Sequence, residues 1–421
     1  MIRRVNDQFG FIRDKSMLPE FFCKPANLML ALVLAIWQFG LNPTVLAEQD
    51  DYYPSQRSWM ATNAGSENIS LFVFRDRNGN GRYDPGEYPM ANVAVNLFRP
   101  DGSRVVRRSN RYGFVNFVNS LTIPGVAIGV EGKYHFEVIA PPGWQVTSDN
   151  ARQTAQFTVR PRTRAGIVAD RVPHPIGIAP ILRISGRVVA RAEGGGLSPV
   201  SGALVSASSS SGHSRQETAT DDLGKFAFEV ESGSWLVQLQ SPETNVQVKR
   251  KVHVDHAPIH VSAIILDEQI PSEMAVQIPV DFDRVSSVPI TKMPTHPRDL
   301  EWVNLIVSDN ETYRGSGYVN NTVSGNHIGY NSSGYPVTVT RDEPFDFVGA
   351  YFGVAWPQAE GETLDVRAWR DEQLVGEEVL SLSAMGPFWF EADYRRITRI
   401  EFATRHFWQF VMDEPVFRFP D

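Results

Sequence analysis

Beyond residue 47 the chain is dominated by short runs in which every second residue is apolar, each stopped by Gly, Pro, Asn or Asp. Ser70–Phe74, Val93–Phe98, Phe114–Val118, Tyr134–Ile139, Lys225–Val230, Trp235–Leu239, Val261–Leu266, Thr363–Trp369 and Ile397–Phe402 are examples. A period of two puts alternate side chains on one face of a strand, whereas a helix needs apolar residues three and four apart, and that spacing is almost absent. Short strands at this density predict an all-β chain of antiparallel sheets packed as sandwiches.

The 421 residues allow about three domains. An internal repeat fixes two of them. Pro89–Val95 aligns with Pro199–Val205, and Tyr112–Phe117 with Leu223–Phe228. In each copy a Gly (Gly113, Gly224) opens an aromatic-bearing strand and suits a turn with positive φ. Repetition on this scale predicts modules in series rather than a catalytic fold. Pro271, Pro279, Pro289, Pro294 and Pro297 punctuate the next stretch, 269–299, which is expected to be an extended, semi-stiff linker. A third unit, 300–421, carries Trp302, Trp356, Trp369, Trp389 and Trp408.

At the other end, Leu28–Trp37 is an unbroken apolar run preceded by Lys24, Lys15, Arg13, Arg4 and Arg3. It is too short to span a bilayer, which takes roughly 20 residues, and it is followed by Val45-Leu46-Ala47, a small-residue cut site. Residues 1–47 are therefore expected to be a signal peptide, with Met17 a candidate start, followed by a flexible segment at 48–68 and no later transmembrane span. The protein is expected outside the cytoplasm, secreted or at a bacterial cell surface. Cys23 is the single cysteine, which excludes disulfides within the chain and cysteine-rich metal sites. A formal net charge of −8 with no basic block argues against nucleic-acid binding.

One motif carries sharp chemistry. Asp76, Asn78, Asn80, Asp84 and Glu87 stand at positions 1, 3, 5, 9 and 12 of a loop with Gly81 at position 6, and Arg82 can supply a backbone carbonyl at position 7. This spacing lets oxygens curl around one hard cation; Ca²⁺, which takes six to eight oxygens at about 2.3–2.6 Å, suits it better than Mg²⁺, which keeps more of its water. The alternating Ser70–Phe74 precedes the loop where a sensor would have a helix, so the ion is expected to brace a strand-to-strand loop rather than switch a helix pair.

With those residues in place, 69–175 resembles the SD-repeat or collagen-adhesin B-like module of Gram-positive surface adhesins, through the loop, Val93–Leu97, Tyr112–Phe117 and Tyr134–Val138. The resemblance implies an Ig-like, transthyretin-like sandwich with structural calcium on Asp76, Asn78, Asn80, Arg82, Asp84 and Glu87. Residues 181–268 are similar to the carboxypeptidase regulatory-like domain through Ile184–Val188, Pro199–Val205 and Gly224–Phe228; the acidic loop is missing, so no calcium is expected there. Residues 300–421 are similar to lectin-like jelly-roll domains of secreted bacterial proteins that carry a PEP-type sorting tail, through Gly329–Val339, Pro344–Phe347, Ala350–Phe352 and Phe410–Glu414, although no such tail follows here. Some members of this family bind carbohydrate; Trp356 and Trp389 are candidate sugar platforms, but core packing is the favoured role for any one Trp.

Catalytic signatures are weak. There is no Gly-x-Ser-x-Gly, His-Glu-x-x-His, phosphate loop or dinucleotide fingerprint. His253, Asp255, His256 and His260 form the densest histidine group, and Asp342/Glu343 and Glu360/Glu362 are carboxylate pairs whose separation nothing in the sequence fixes. The reading is a non-enzymatic exported modular protein, adhesive or structural, meeting a glycan or an envelope or matrix component. The alternatives are a carbohydrate-binding protein acting through 300–421, and an accessory subunit of a hydrolase.

Overall fold

The protein is represented by a computed structural model, which describes residues 68–118, 128, 130–159, 167–169, 173–191, 197–240, 247–265, 276–285, 287–295 and 297–419. The expected signal peptide and the segment that follows it lie outside these residues. Among the described residues no helix is long and apolar enough to cross a membrane.

The described residues are almost all β, as expected, and each of the nine runs named above falls on a strand over its described residues, save for Val93 and Val230 just beyond strand ends. The first sandwich comprises β1 (Asn68–Arg75), β2 (Tyr88–Pro89), β3 (Ala94–Phe98), β4 (Arg104–Arg108), β5 (Phe114–Val118), β6 (Gly132–Ile139), β7 (Trp144–Val146), β8 (Arg152–Val159), β9 (Ile167–Ala169) and β10 (Ile176–Pro180). The second comprises β11 (Arg183–Arg191), β12 (Leu197–Pro199), β13 (Leu204–Ser209), β14 (Arg215–Ala219), β15 (Lys225–Glu229), β16 (Gly233–Gln240), β17 (Gln247–Val254) and β18 (Ile259–Ile265).

The sequence repeat is a repeat of topology. One sheet runs β4-β3-β6-β8-β9, and its counterpart runs β14-β13-β16-β17. Opposite them, β1 pairs parallel with β10 and antiparallel with β5, while β11 pairs parallel with β18 and antiparallel with β15. Alternation sets the inward faces. Tyr134, Phe136 and Val138 are buried on β6, and Phe226 and Phe228 on β15 between exposed neighbours. The paired glycines do what the repeat required of them: Gly113 has φ +76° and Gly224 φ +73°, and a Cβ on either would come within 2.4 Å of a carbonyl oxygen, Val73 O or Val188 O.

The third unit holds β19 (Gln277–Pro279), β20 (Ile290–Lys292), β21 (Glu301–Val303), β22 (Leu305–Asp309), β23 (His327–Asn331), β24 (Val337–Val354), β25 (Thr363–Arg370), β26 (Gln373–Ser381), β27 (Phe388–Thr404) and β28 (Phe410–Arg418). The strands β24 and β27 run antiparallel with register shifts, so one long ribbon bends to serve both layers. Its core is aromatic, with Phe345, Phe347, Phe352, Phe390, Phe402, Phe410 and Phe417 in one cluster.

Two expectations about organisation need correction. The described part of the supposed linker is built into the third unit: β19 pairs with β28, β20 pairs with β22, and Val280, Phe282 and Met293 are buried in its core. Prolines cannot donate to a ladder but are tolerated at the ends of short edge strands, and the apolar residues between them supply the burial. Nor are the modules held apart. Strand β18 pairs parallel with β27, joining the second unit to the third in one sheet. Asn320, 1 % exposed, pairs with the backbone of Ala91 in both directions at 2.9 and 3.1 Å, joining the first unit to the third. Sequence patterning reports which face of a strand is buried, not whether a neighbouring sandwich buries it.

Candidate cation-binding loop and module junction

The loop 76–87 begins where β1 leaves its sheet. Asp76 N still donates to Ile178 O of β10 at 3.0 Å, so the first loop residue is anchored by the parallel pair. Tyr83 folds back on Phe72 and Phe74, with ring centroids 4.8 and 5.2 Å away, and this aromatic plug holds the loop's midpoint against the sandwich. Gly79 and Gly81 take positive φ, and a Cβ on Gly81 would stand 3.0 Å from Thr147 O.

The side chains named from sequence hydrogen-bond within the loop, their oxygens mostly to backbone N–H groups. Asp76 is 1 % exposed; its Oδ1 accepts from Gly79 N and its Oδ2 from Gly81 N, both at 2.7 Å. Asn78 Oδ1 accepts from Asn80 N, and Asn80 Oδ1 from Arg82 N, a ladder of successive Asx turns. The two amide nitrogens, Asn78 Nδ2 and Asn80 Nδ2, both donate to Asp84 Oδ2 at 2.7 Å. Glu87 reaches back across the loop, Oε1 accepting from Arg77 N at 2.8 Å and Oε2 from Asp84 N at 3.0 Å.

The electrostatics follow from these contacts. Amide donation by Asn78 and then Asn80 holds the Asp84 carboxyl below the usual carboxylate range. Burial raises that of Glu87, against the opposing pull of the two backbone N–H groups. Among the described residues no three His, Cys, Asp or Glu side chains gather as a metal cluster. The donor set still fits a hard cation, because Asn78, Asn80 and Asp84 converge on one point and Glu87 closes the loop. A half-turn of each amide about its Cβ–Cγ bond turns oxygen inward, at the expense of its Asx-turn bond.

Sequence reasoning missed what flanks Asp76. Arg75, 2 % exposed, crosses into the third unit, where Nη1 donates to Asn320 O at 2.8 Å and Nη2 to Thr322 O. Arg77 Nη1 donates to Val323 O at 3.2 Å, and Nη2 lies 3.4 Å from His256 Nδ1 of the second unit. The loop 76–87 therefore opens at the point where three sandwiches meet. A buried arginine on a strand has no local sequence signal beyond its place in an otherwise apolar run.

The other candidates disperse. His253 faces Ser234, while His256 bonds Asp255 at 2.8 Å and stacks on Tyr351; burial lowers the His256 pKa. Glu343 pairs with Arg341, Glu360 accepts from Ala384 N, and Glu362 accepts from Thr363 N and lies 3.0 Å from His406 Nδ1. Trp356 packs on Tyr318 and bonds Gln409, and Trp389 packs on Tyr351 and bonds Glu391, so neither ring is a free platform.

No protein-family model matches the chain, and no curated protein matches it in sequence. Solved structures give partial likenesses. One is the Bacillus anthracis TIE protein, 13 % identical over 48 % of this chain and 34 % of that one, with a TM-score of 0.21. Another is the shaft pilin SpaA from Lactobacillus rhamnosus GG, 13 % identical over 49 % of this chain and all of that one, with a TM-score of 0.21. The K2 cleaved adhesin domain of Lys-gingipain is 10 % identical over 34 % of this chain and all of that one, with a TM-score of 0.25. Scores this low carry no functional inference.

Proposed function

We propose that this chain is an exported, non-enzymatic structural or adhesive protein whose first sandwich takes up Ca²⁺ in the loop 76–87. Asp76, Asn78, Asn80, Asp84, Glu87 and the Arg82 carbonyl would hold the ion, and its role would be mechanical. The observation that carries this reading is the convergence of Asn78, Asn80 and Asp84 under a Glu87 that spans the loop. The flanking Arg75 and Arg77 give such an ion a purpose, because stiffening residue 76 stiffens the two side chains that tie the first unit to the others. A protein of this kind would present a single braced body to a surface or matrix component.

A ligand bound by the folded form alone stabilises it by mass action, about 2.7 kcal/mol at a hundredfold excess over Kd. Thermal unfolding of the chain from residue 48 onward is expected to shift upward by several degrees in millimolar calcium. The shift should vanish in Asp76→Ala/Glu87→Ala. Identical melting curves in calcium and in chelator would remove the calcium from this account.

A further inference from the structure

The net charge of the chain hides an uneven distribution. Residues 68–180 carry 14 Lys and Arg against 8 Asp and Glu, whereas 181–421 carry 20 against 33. Part of the basic excess stands where the fold leaves a sheet face open. In the sheet β4-β3-β6-β8-β9, Val95 and Leu97 of β3 and Tyr134, Phe136 and Val138 of β6 point into the core. Alternation therefore turns Phe98 of β3, and Lys133, His135, Glu137 and Ile139 of β6, to the opposite side. Register adds Arg104, Val106 and Arg108 of the edge strand β4, and Arg152 of β8, which lies opposite Glu137.

The described residues leave this face uncovered. Arg104, Arg108, Lys133 and Arg152 are exposed, as are Val106 at 44 % and Ile139 at 46 %. Arg104 and Arg108 stand about 13 Å apart along the strand. Among the described residues neither of them, nor Lys133, meets an acid; Arg108 donates to the carbonyl of Asn92 at 2.8 Å. The acid on the face, Glu137, is already paired with Arg152 at 2.7 Å. At the rim, Asp101 accepts from Ser103, and Glu131 stands just before β6. Phe98 and His135 lie side by side between β4 and β8, with ring centroids 5.8 Å apart. The face is a shallow apolar strip bordered by guanidinium and ammonium groups.

The strand plan does not call for these cations. On the second sandwich the edge strand β14 places Arg215, Glu217 and Ala219 where β4 has Arg104, Val106 and Arg108, and Arg215 is bonded to Glu217 at 3.1 Å. That face carries Lys249 and Lys251 of β17, but Ser208 stands where β3 has Phe98.

Cations without acid partners along an extended edge suit a linear polyanion, and the arginine fork matches a carboxylate through two parallel bonds. The apolar strip narrows the class. A phosphate backbone brings charge without an apolar face, and the acidic remainder of the chain repels a long duplex. A chain of uronate sugars brings both, carboxylates at its edge and C–H ring faces for Phe98, Val106 and Ile139.

We propose that the outer face of the first sandwich binds a carboxylate-bearing polysaccharide, with Arg104, Arg108 and Lys133 taking its carboxylates. This names a partner class for the adhesive or structural role proposed for the chain and rests on that reading for a partner outside the cytoplasm, but not on calcium.

The test is binding of the chain from residue 48 onward to immobilised hyaluronan, alginate and polygalacturonate in chelator, beside polyglutamate and duplex DNA. The expected result is saturable binding to at least one uronate polymer, at least tenfold tighter than to polyglutamate or DNA. It should fall at least tenfold in Arg104→Glu/Arg108→Glu and severalfold in Arg104→Gln/Arg108→Gln, with melting curves unchanged because both sites are exposed. Lys249→Glu/Lys251→Glu, on the matching face of the second sandwich, makes the same change in net charge and should leave binding intact. Failure to bind all three polymers overturns the proposal, while the calcium-dependent melting shift still tests the broader reading by itself. Equal losses in the two charge-reversed pairs overturn it too, since they mark unspecific attraction, and so does a preference for DNA. A parent dimer in sedimentation that Arg104→Glu/Arg108→Glu dissociates would assign the face to a second copy of this chain instead.

Discussion

Asp413, on β28, allows the junction to be tested by titration. It is 2 % exposed, and its Oδ2 accepts from Val323 N at 2.7 Å and Ser324 N at 3.2 Å, in the segment that receives Arg75 and Arg77. Burial outweighs these bonds and lifts the carboxyl from 3.8 to about 8. The folded protein therefore keeps a proton that the unfolded chain releases near pH 4. Stability from this group is fully present below the unfolded pKa and is lost as pH rises through the folded one, a window from about 4 to about 8. Each pH unit inside it removes about 1.4 kcal/mol, so the interval from about pH 5 to about pH 7.5 removes about 3 kcal/mol. Asp413→Asn preserves shape and an acceptor for Val323 and Ser324 but cannot titrate. Urea unfolding across this interval should show the parent chain losing about 3 kcal/mol more than the variant, a difference in which other titrating groups cancel. Parallel stability curves for the two proteins would refute the claim that desolvation governs this carboxyl.

Arg75→Met keeps much of the buried volume but removes two charge-assisted donors and leaves the carbonyls of Asn320 and Thr322 unpaired. Chemical denaturation should register a loss of about 3 kcal/mol or more. Arg77→Ala, at a half-exposed site, should cost less than about 1 kcal/mol by the same assay. Gly113→Ala and Gly224→Ala meet both an unfavourable φ and a carbonyl at 2.4 Å, and each should cost about 2 kcal/mol or more. Gly202→Ala, at φ +72° with open space around it, should cost about 1 kcal/mol; equal losses at all three positions would show that the close approach is harmless.

The strands were legible because each short run carries its own periodicity. At Phe226 and Phe228 the alternation alone chose the buried face, and at Gly113 and Gly224 the absence of a side chain matched a backbone that admits none. The loop was legible for the same reason: Asp76 to Glu87 lie within one stretch, and spacing along twelve residues sets their curl. The expected linker was misread because its prolines were weighed above Ile278 and Val280, which pair with residues more than a hundred positions away, and Phe282, whose ring packs at Gly329. Trp356 and Trp389 illustrate the same limit, since an aromatic residue carries no mark that separates a platform from a core position.

By itself, then, the sequence determined the strand class and the doubled plan of the first two sandwiches, both of which rest on interactions among near neighbours in the chain. Tertiary structure alone decided that Arg75 locks into the carbonyls of residues 320 and 322, and that β18 of the second unit pairs with β27 of the third. Those meetings depend on how separately folded sheets dock, and docking is governed by the shape and desolvation of whole surfaces, for which no local pattern codes.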